Sequence, residues 1–261
     1  MSTKINLFKY KPVKKLIKGS KESAGRNNSG KITVYQRGGG HKQAYRQINF
    51  KRQEKEGIVV GFEYDPKRHT YLAKIYNAES NDYHYILAPS GLKVLDKIVS
   101  QKNMLTNIQP GNTFLIKNIP VGTIVHNIEL IPNKGGQLVR SAGTFGKILH
   151  QTKNKFVTVR LASGEHRLIP GDCKATLGAL SNENRAYVNL QKAGRSRWLS
   201  KRPTVRGVAM NPIDHPHGGG EGKTSGGRPS VTPWGLITKG PKTRSRKKNN
   251  SLIIKRRTKK K

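Results

Sequence analysis

The sequence predicts a mostly β protein in which two consecutive small β-barrels lie between two long basic extensions. Hydrophobic residues in the middle of the chain alternate with a period of two rather than 3.6. Short apolar segments recur there about every 8–12 residues between Gly and Pro residues, a pattern typical of small barrels and sandwiches. The formal net charge of +37 over 261 residues is concentrated at the two ends. These observations indicate a globular centre with two cationic arms.

Residues 1–53 are predicted to form an N-terminal extension that binds a polyanion. They carry fourteen Lys or Arg residues and one acid, Glu22. Such a stretch buries too little apolar surface to order itself, so we expect it to be disordered when free. The first 20 residues loosely resemble a transit peptide, but the basic composition continues to Arg52 and favours an RNA-contacting arm.

Residues 54–196 hold most of the acids, eleven Asp or Glu against nineteen Lys or Arg, and the best hydrophobic pattern. We place a first barrel at 54–122 and a second at 123–196, because the pattern is interrupted near Pro120. The first barrel has strand candidates at residues 57–64, 69–76, 83–88 and 112–116. The second has candidates at residues 123–130, 137–142, 144–150, 155–161 and 165–169, followed by a short helix around 191–199.

Residues 197–261 form the second basic extension, with eighteen Lys or Arg residues against two acids. Its most informative segment is the tract DHPHGGGEG at residues 214–222. Three consecutive glycines leave no side-chain core and let backbone N–H groups approach a partner closely. The cations that flank the tract point to phosphate as that partner. Beyond Lys239 the tail is low-complexity, and we expect it to follow an extended path.

The candidate RNA-binding residues of the C-terminal part combine cations, glycines and rings that can stack on bases. They are Arg195, Arg197, Trp198, Arg202, Arg206, Asn211, Asp214, His215, Pro216, His217, Gly218, Gly219, Gly220, Lys223, Arg228 and Trp234. Alternatives remain, because either tryptophan can instead pack on a barrel and the glycine tract can be a solvated loop.

A second glycine tract, at residues 38–40, lies in the N-terminal extension among cations and rings. The candidates there are Arg26, Asn27, Arg37, Gly38, Gly39, Gly40, His41, Lys42, Tyr45 and Arg46. The cations can contact phosphate, and His41 and Tyr45 can stack on bases. A flexible linker is the alternative. In the centre, Arg140 follows a glycine-rich loop and either reaches phosphate or only belongs to a barrel turn.

The sequence gives little support to catalysis or metal binding. His215 and His217 with Asp214 make an incomplete zinc set, and the chain has no CxxC motif. A His–Asp pair there lacks a nucleophile and a pocket-forming core. The lone Cys173 is interpreted as a small buried residue. No apolar run approaches the roughly 18 residues that cross a bilayer. We therefore predict no enzyme, no catalytic residue, no metal site, no membrane contact and no cofactor, except for magnesium associated with RNA.

Several strings of the sequence resemble the universal large-subunit ribosomal protein L2 family, uL2. They are RNN at 26–28, GGGHK at 38–42, HNIE at 126–129, GGQL at 135–138, RSAG at 140–143 and VTPWG at 231–235. The string KTR at 242–244 also matches and adds Lys242 and Arg244 to the candidate RNA-binding residues. The most specific string is GVAMNPIDHPHGGGEG at 207–222, sixteen positions at which chance agreement is negligible. The resemblance covers the chain from about residue 25 to its C-terminus.

This resemblance implies an OB-like barrel followed by an SH3-like barrel, with both extensions threading through rRNA. It implies a structural constituent of the large ribosomal subunit that lies near the peptidyl-transferase centre and supports subunit association and tRNA binding during translation. The implied partners are large-subunit rRNA, neighbouring ribosomal proteins, the small subunit through an intersubunit contact, and tRNA indirectly. His215, Pro216 and His217 would lie in the loop nearest the catalytic RNA, where we interpret the histidines as supports of RNA structure.

The arm before Gly25 is shorter than the bacterial pattern and diverges from it. The strings RSAGTF at 140–145 and GGRPS at 226–230 look most similar to mitochondrial members, and abundant Asn, Lys and Ile indicate an AT-rich genome. We therefore predict a mitochondrial ribosome, with a bacterial cytoplasmic or a plastid ribosome as the alternative. Two other functions compete: a free RNA or DNA chaperone with aromatic residues on a barrel face, and a metal-dependent RNA-processing enzyme, which would need clustered acids.

Overall fold

The computed structural model describes residues 12–53, 55–101, 108–151, 155–241 and 251–257. The chain divides into two compact units. We call the first the barrel unit (Met1–Ser20, Gln43–Asn189 and Asn249–Lys261) and the second the loop unit (Lys21–Lys42 and Leu190–Lys248). Each predicted extension contributes to both units. The unit limits therefore differ from the predicted limits at 53/54, 122/123 and 196/197.

The first part of the barrel unit is a four-stranded antiparallel sheet. Two short strands that pair with each other precede it, β1 (Ile17–Gly19) and β2 (Ala44–Arg46). The sheet consists of β3 (Glu56–Glu63), β4 (Leu72–Asn77), β5 (Asp82–Leu87) and β6 (Lys97–Val99), in the order β5-β4-β3-β6. Residues such as Val59, Phe62, Ile75 and Ile86 form a buried core on one face of this sheet. Val59 and Phe62 are three positions apart and share this core because a β-bulge shifts the register of β3 between Val59 and Gly61.

The second part of the barrel unit is a seven-stranded sheet. Its strands are β7 (Thr113–Leu115), β8 (Ile124–His126), β9 (Gly146–Gln151), β10 (Phe156–Arg160), β11 (His166–Pro170), β12 (Lys174–Leu177) and β13 (Ile253–Lys255). They follow the order β13-β11-β10-β9-β8-β12-β7, and each neighbouring pair is antiparallel. The core includes Phe114, Ile148, Val159 and Ile169. The mostly β class is confirmed, and the two successive sheets are consistent with an OB-like fold followed by an SH3-like fold.

Strand pairing places the change of sheet between Val99 and Thr113, earlier than the predicted boundary. The strand predicted at 137–142 was wrong. Leu138 forms only an isolated bridge with Ile128, and Val139 has φ +54°, which an extended strand does not allow. Strands β1, β2, β6, β12 and β13 were not predicted.

Helices are short in the described part of the chain. The helix predicted around 191–199 is confirmed as α1 (Ala193–Trp198), and four 3₁₀ turns occur at Lys14–Leu16, Ile116–Asn118, Glu183–Tyr187 and Gly207–Ala209. Among these residues no helix has the length and apolar composition to cross a membrane.

A buried polar network holds the N-terminal segment on the first sheet. The Tyr85 hydroxyl donates to Glu63 Oε2 at 2.8 Å and accepts the Val13 N–H at 3.0 Å. Burial raises the pKa of Glu63, although the Tyr85 hydrogen bond and the charge of Arg46 oppose this change. Burial also raises the pKa of Tyr85 to about 12. Tyr85 therefore remains a neutral donor between a backbone amide and a buried carboxyl group.

Replacing Tyr85 with Phe is expected to destabilise the barrel unit by about 2 kcal/mol, because a half-buried N–H and a buried carboxyl group lose a hydrogen-bond partner. Urea unfolding of the full chain measures this loss. Tyr83→Phe is the matched control, since Tyr83 lies on the same strand with an exposed side chain. Equal losses from the two variants would contradict a role for the Tyr85 hydroxyl.

Candidate RNA-binding sites

The loop unit gathers most of the predicted RNA-binding residues. Of the 29 candidates, 24 belong to its described residues. Its described residues include fourteen Lys or Arg residues and three acids, Glu22, Asp214 and Glu221. The exposed candidates of the loop unit are Arg26, Asn27, Arg37, Gly39, His41, Lys42, Arg195, Arg197, Trp198, Arg202, Arg206, Asn211, Asp214, Gly220, Lys223, Arg228 and Trp234. The unit therefore presents a cationic surface on which phosphate binding is favoured.

Backbone hydrogen bonds join the two glycine-bearing segments within this unit. The Gly38 N–H donates to the Ser200 carbonyl at 3.0 Å, and the Arg202 N–H donates to the Gln36 carbonyl at 2.8 Å. The Ser200 hydroxyl also donates to Glu22 Oε1 at 3.0 Å. A Cβ on Gly40 would overlap Ser200. Gly38 and Gly40 thus allow two chain segments to pack closely, in addition to any approach to RNA.

His217 uses both ring nitrogens inside its own loop. Its Nδ1 lies 3.1 Å from the Gly226 carbonyl, which can only accept, and its Nε2 accepts the Val231 N–H at 3.0 Å. These partners require the neutral tautomer with its proton on Nδ1. The ring therefore ties residues 226–231 to the glycine tract and has no nitrogen left for proton transfer in this arrangement.

His215 is the buried member of the histidine pair. Its ring is 8% exposed and stacks on His217 with centroids 5.0 Å apart. Its Nδ1 accepts the backbone N–H of His217 at 3.0 Å. A Cβ on Gly207 would lie 2.6 Å from this ring. The first glycine of the long family string thus leaves the space that His215 occupies.

The three glycines that follow the histidines have little room for side chains. A Cβ on Gly218 would overlap the Asn211 carbonyl, and one on Gly220 would overlap Thr224. Gly219 has φ +94°, and its Cβ would lie 2.7 Å from Pro212 Cγ. The tract folds back on itself, since the Gly219 N–H donates to the Met210 carbonyl at 3.2 Å. Its shape is therefore specified by contacts that only glycine permits.

Both tryptophans of the loop unit are exposed. Trp198, at the end of α1, is 61% exposed, and the Lys192 ammonium lies 5.4 Å from its ring centroid. Trp234 is 64% exposed at the tip of a turn closed by the Gly235 N–H and the Thr232 carbonyl. Neither ring lies in a core, so both can stack on RNA bases.

Asn27 has a local role in the N-terminal segment. Its Oδ1 accepts the Ser29 and Lys31 N–H groups at 3.0 and 2.9 Å, which closes a turn beside Arg26. Asn27 therefore shapes the loop that carries its neighbouring cation, and its carboxamide oxygen is already used by the protein.

His41, in the same segment, has Nδ1 2.7 Å from the Lys42 carbonyl.

The other described candidates, Tyr45, Arg46 and Arg140, belong to the barrel unit. Tyr45 is 39% exposed. The Arg46 side chain is only 12% exposed, with Nε 3.9 Å from Glu63 Oε2, so it faces a buried carboxyl group rather than solvent. The Arg140 guanidinium stacks on Phe50 at 4.8 Å. Lys242 and Arg244 lie outside the described residues.

Other residues of the family strings in the barrel unit have structural roles. Glu129 is buried, and its two carboxylate oxygens accept the Gly135 and Lys174 N–H groups at 2.9 Å each. A Cβ on Gly136 would overlap Asn127. Cys173 is fully buried, and burial raises the pKa of its thiol to about 12. Among the described residues, no three His, Cys, Asp or Glu side chains converge to hold a metal ion.

Sequence reasoning missed the residues that support the candidates. Gln36 and Ser200 join the two segments, while Gly207, Gly226 and Val231 hold the histidines. One signal was available, because Glu22 is the only acid of the first 53 residues and accepts a hydrogen bond from Ser200.

Comparisons with known proteins identify relatives over most of the chain. Residues 13–100 match the family described as "Ribosomal Proteins L2, RNA binding N-terminal domain", and residues 109–235 match "Ribosomal Proteins L2, C-terminal domain". The chain is 56% identical over 256 residues to "Large ribosomal subunit protein uL2m" of Reclinomonas americana, covering 97% of this chain and 91% of that protein. It is 52% identical to "Large ribosomal subunit protein uL2" of Rickettsia peacockii (strain Rustic), covering 97% and 92%.

Proposed function

The chain belongs to the ribosomal protein L2 family, and from this membership we propose that its loop unit binds large-subunit rRNA near the peptidyl-transferase centre. It is a structural constituent of the large ribosomal subunit with an RNA-binding domain, and its relatives are ribosomal proteins rather than enzymes. We further propose that it supports subunit association and tRNA binding. We expect no cofactor of its own beyond magnesium held by the RNA.

One observation carries this proposal: two glycine-bearing basic segments from distant parts of the chain are hydrogen-bonded into one cationic unit. Neutralising phosphates releases condensed counterions, which supplies affinity without sequence preference. The fixed glycine backbone and the exposed Trp198 and Trp234 supply shape fit and stacking. Charge therefore accounts for the strength of binding, and the loop geometry accounts for where the unit binds.

The histidine tract supports RNA structure rather than chemistry in this proposal. Both nitrogens of His217 are engaged by its own loop, whereas a general base needs a nitrogen within reach of the reacting proton. The histidines therefore act on the RNA by fixing the shape of the tract that contacts it.

We propose the mitochondrial ribosome as the site of action, with a bacterial or plastid ribosome as the alternative outcome. The relatives include uL2m of Reclinomonas americana as well as uL2 of Rickettsia peacockii. Fractionating the source cells before isolating ribosomes distinguishes these outcomes.

We expect the full chain to sediment with the large subunit in a sucrose gradient of cell lysate. Its release on washing with increasing salt should be steep, because each neutralised phosphate contributes about 0.7–0.9 to the slope of log affinity against log salt concentration. Nuclease digestion of a parallel sample is the control and should move the chain to the top of the gradient. Sedimentation with RNA outside the ribosomal fractions would instead support a free chaperone.

A further inference from the structure

A cavity of about 410 Å³ opens in the loop unit beside helix α1. One wall is a single face of the helix, formed by Ala193, Ser196 and Arg197 at positions i, i+3 and i+4. The stretch 201–204 and Gln36 of the N-terminal segment complete the lining. Both segments of the loop unit therefore contribute to the lining, the N-terminal one through Gln36.

Hydrogen bonds fix these walls. The Lys201 N–H donates to the Ser196 carbonyl at 3.0 Å, and the Arg202 N–H donates to the Gln36 carbonyl at 2.8 Å. The Thr204 hydroxyl donates to Gln36 Oε1 at 3.0 Å. Because its oxygen is held, Gln36 keeps both amide protons as donors. The backbone on both sides of the cavity is thus held by hydrogen bonds, and the Gln36 amide remains available as a donor.

The lining suits a nucleotide in both charge and shape. Its lining, as far as the structure describes it, contains three cations, Arg197, Lys201 and Arg202, and no carboxylate. Pro203 and Ala193 add apolar surface against which a ring can lie. The volume falls within the range of about 300–1,000 Å³ typical of small-ligand sites. Unstacked RNA bases are recognised by stacking on guanidinium planes and by hydrogen bonds to their edges.

We propose that this cavity holds one unstacked nucleotide of the large-subunit rRNA. Its base lies between Pro203 and an arginine plane, Gln36 donates to the base edge, and the cations neutralise the adjoining phosphates. This inference rests on the proposed function and adds a specific pocket to it. An acidic side chain of a neighbouring protein would pair with the cations but would leave the ring-sized apolar walls and the Gln36 donors unused.

The test compares chemical probing of rRNA in purified large subunits that contain the full-length parent, Ala193→Leu or Ala186→Leu. The larger side chain of Ala193→Leu narrows the cavity. Ala186→Leu is the matched control at an exposed alanine of the barrel unit that does not line the cavity. We expect the base reactivity of one nucleotide to rise roughly tenfold in subunits with Ala193→Leu and to stay at the parent level with the control, since stacking on protein is lost. In the parent, ultraviolet cross-linking should join the same nucleotide to a residue between 196 and 204.

Other results separate failure of this inference from failure of the proposed function. Parent cross-links at other loop-unit residues, with none at the cavity, would overturn the pocket while leaving rRNA binding in place. A cross-link from the cavity to a neighbouring protein would also overturn it. If Ala193→Leu changes the chemical reactivity of many rRNA nucleotides at once, the cross-link formed by the parent chain is the test of this inference. Absence of the parent chain from large subunits would overturn the proposed function itself.

Discussion

Replacing Gly219 with Val is expected to reduce incorporation of the chain into large subunits by roughly tenfold to a hundredfold. Gly219 has φ +94°, where an L side chain is strained by about 1–3 kcal/mol. Its Cβ would also lie 2.7 Å from Pro212 Cγ, and the rigid proline ring cannot rotate away. The tract must therefore open, which breaks the bond from the Gly219 N–H to the Met210 carbonyl and displaces the neighbouring histidines.

Gly240→Val is the matched control for this variant. Gly240 has φ +98°, nearly the same backbone conformation, but nothing lies within 4 Å of its would-be Cβ. It therefore shares the cost of backbone strain without the contact with Pro212. Lys223→Ala is the second control and removes one exposed charge near the tract. Competition between tagged variant and parent chains during subunit reconstitution measures each effect. Equal defects for Gly219→Val and Lys223→Ala would mean that charge rather than tract shape governs assembly.

The long strands of the first sheet were predictable because alternation over six to eight residues gives a clear signal. Residues 57–64 were expected, and β3 is Glu56–Glu63. Strands β6 and β13 have only three residues each, too few to show a period of two. In β13, two adjacent isoleucines were a local signal, but its basic surroundings favoured an extended tail. Short strands depend on neighbours that the local sequence does not specify.

The strand predicted at 137–142 failed for a different reason. Valine strongly favours strands, yet Val139 has φ +54°. Its N-terminal neighbours are fixed by the buried Glu129 carboxylate, which accepts the Gly135 N–H, and by the close packing of Gly136 on Asn127. Tertiary contacts therefore override the local preference at this position.

The chemistry of the candidate residues could be predicted from sequence, but their association could not. Cations, glycines and rings indicated RNA, and the structure exposes most of the cations and both tryptophans. The junction between the two segments uses backbone groups at Gly38 and Ser200, and every residue has such groups. The partners of His217 are likewise a carbonyl and an N–H. Side-chain patterns carry no information about such contacts until the fold is known.

Acid is expected to destabilise the barrel unit through His126, by about 3 kcal/mol between pH 6.5 and pH 4. His126 lies at the end of β8, is 1% exposed, and has Nδ1 2.8 Å from the Gly178 carbonyl. Burial lowers its pKa from 6.5 to about 4; the Gly178 hydrogen bond opposes this change and the charge of Arg52 adds to it. In that interval the unfolded chain binds a proton that the folded chain does not. Folding stability therefore falls as the pH falls and changes little further below pH 4.

His126→Asn isolates this contribution, because an asparagine amide can replace the Nδ1–H donor and does not titrate. The variant loses ring volume at every pH, so the informative quantity is the difference between parent and variant in urea unfolding of the full chain. That difference should shrink by about 3 kcal/mol from pH 7 to pH 4. Glu63 acts in the opposite direction, since its raised pKa makes stability fall as the pH rises above 4.5. The comparison removes its contribution, which both proteins share.

His150→Asn controls for the removal of a histidine, because His150 is exposed on strand β9 of the same sheet. If the stabilities of the parent and His126→Asn change in parallel with pH, the folded chain binds a proton at His126 as readily as the unfolded chain does, which contradicts the prediction. If the two stabilities instead converge as the pH falls, His126 is established as a buried neutral residue of the core. The presence of the family string HNIE at residues 126–129 would then be explained by a role in folding. The buried Glu129, with both carboxylate oxygens bonded to backbone N–H groups, already has such a role.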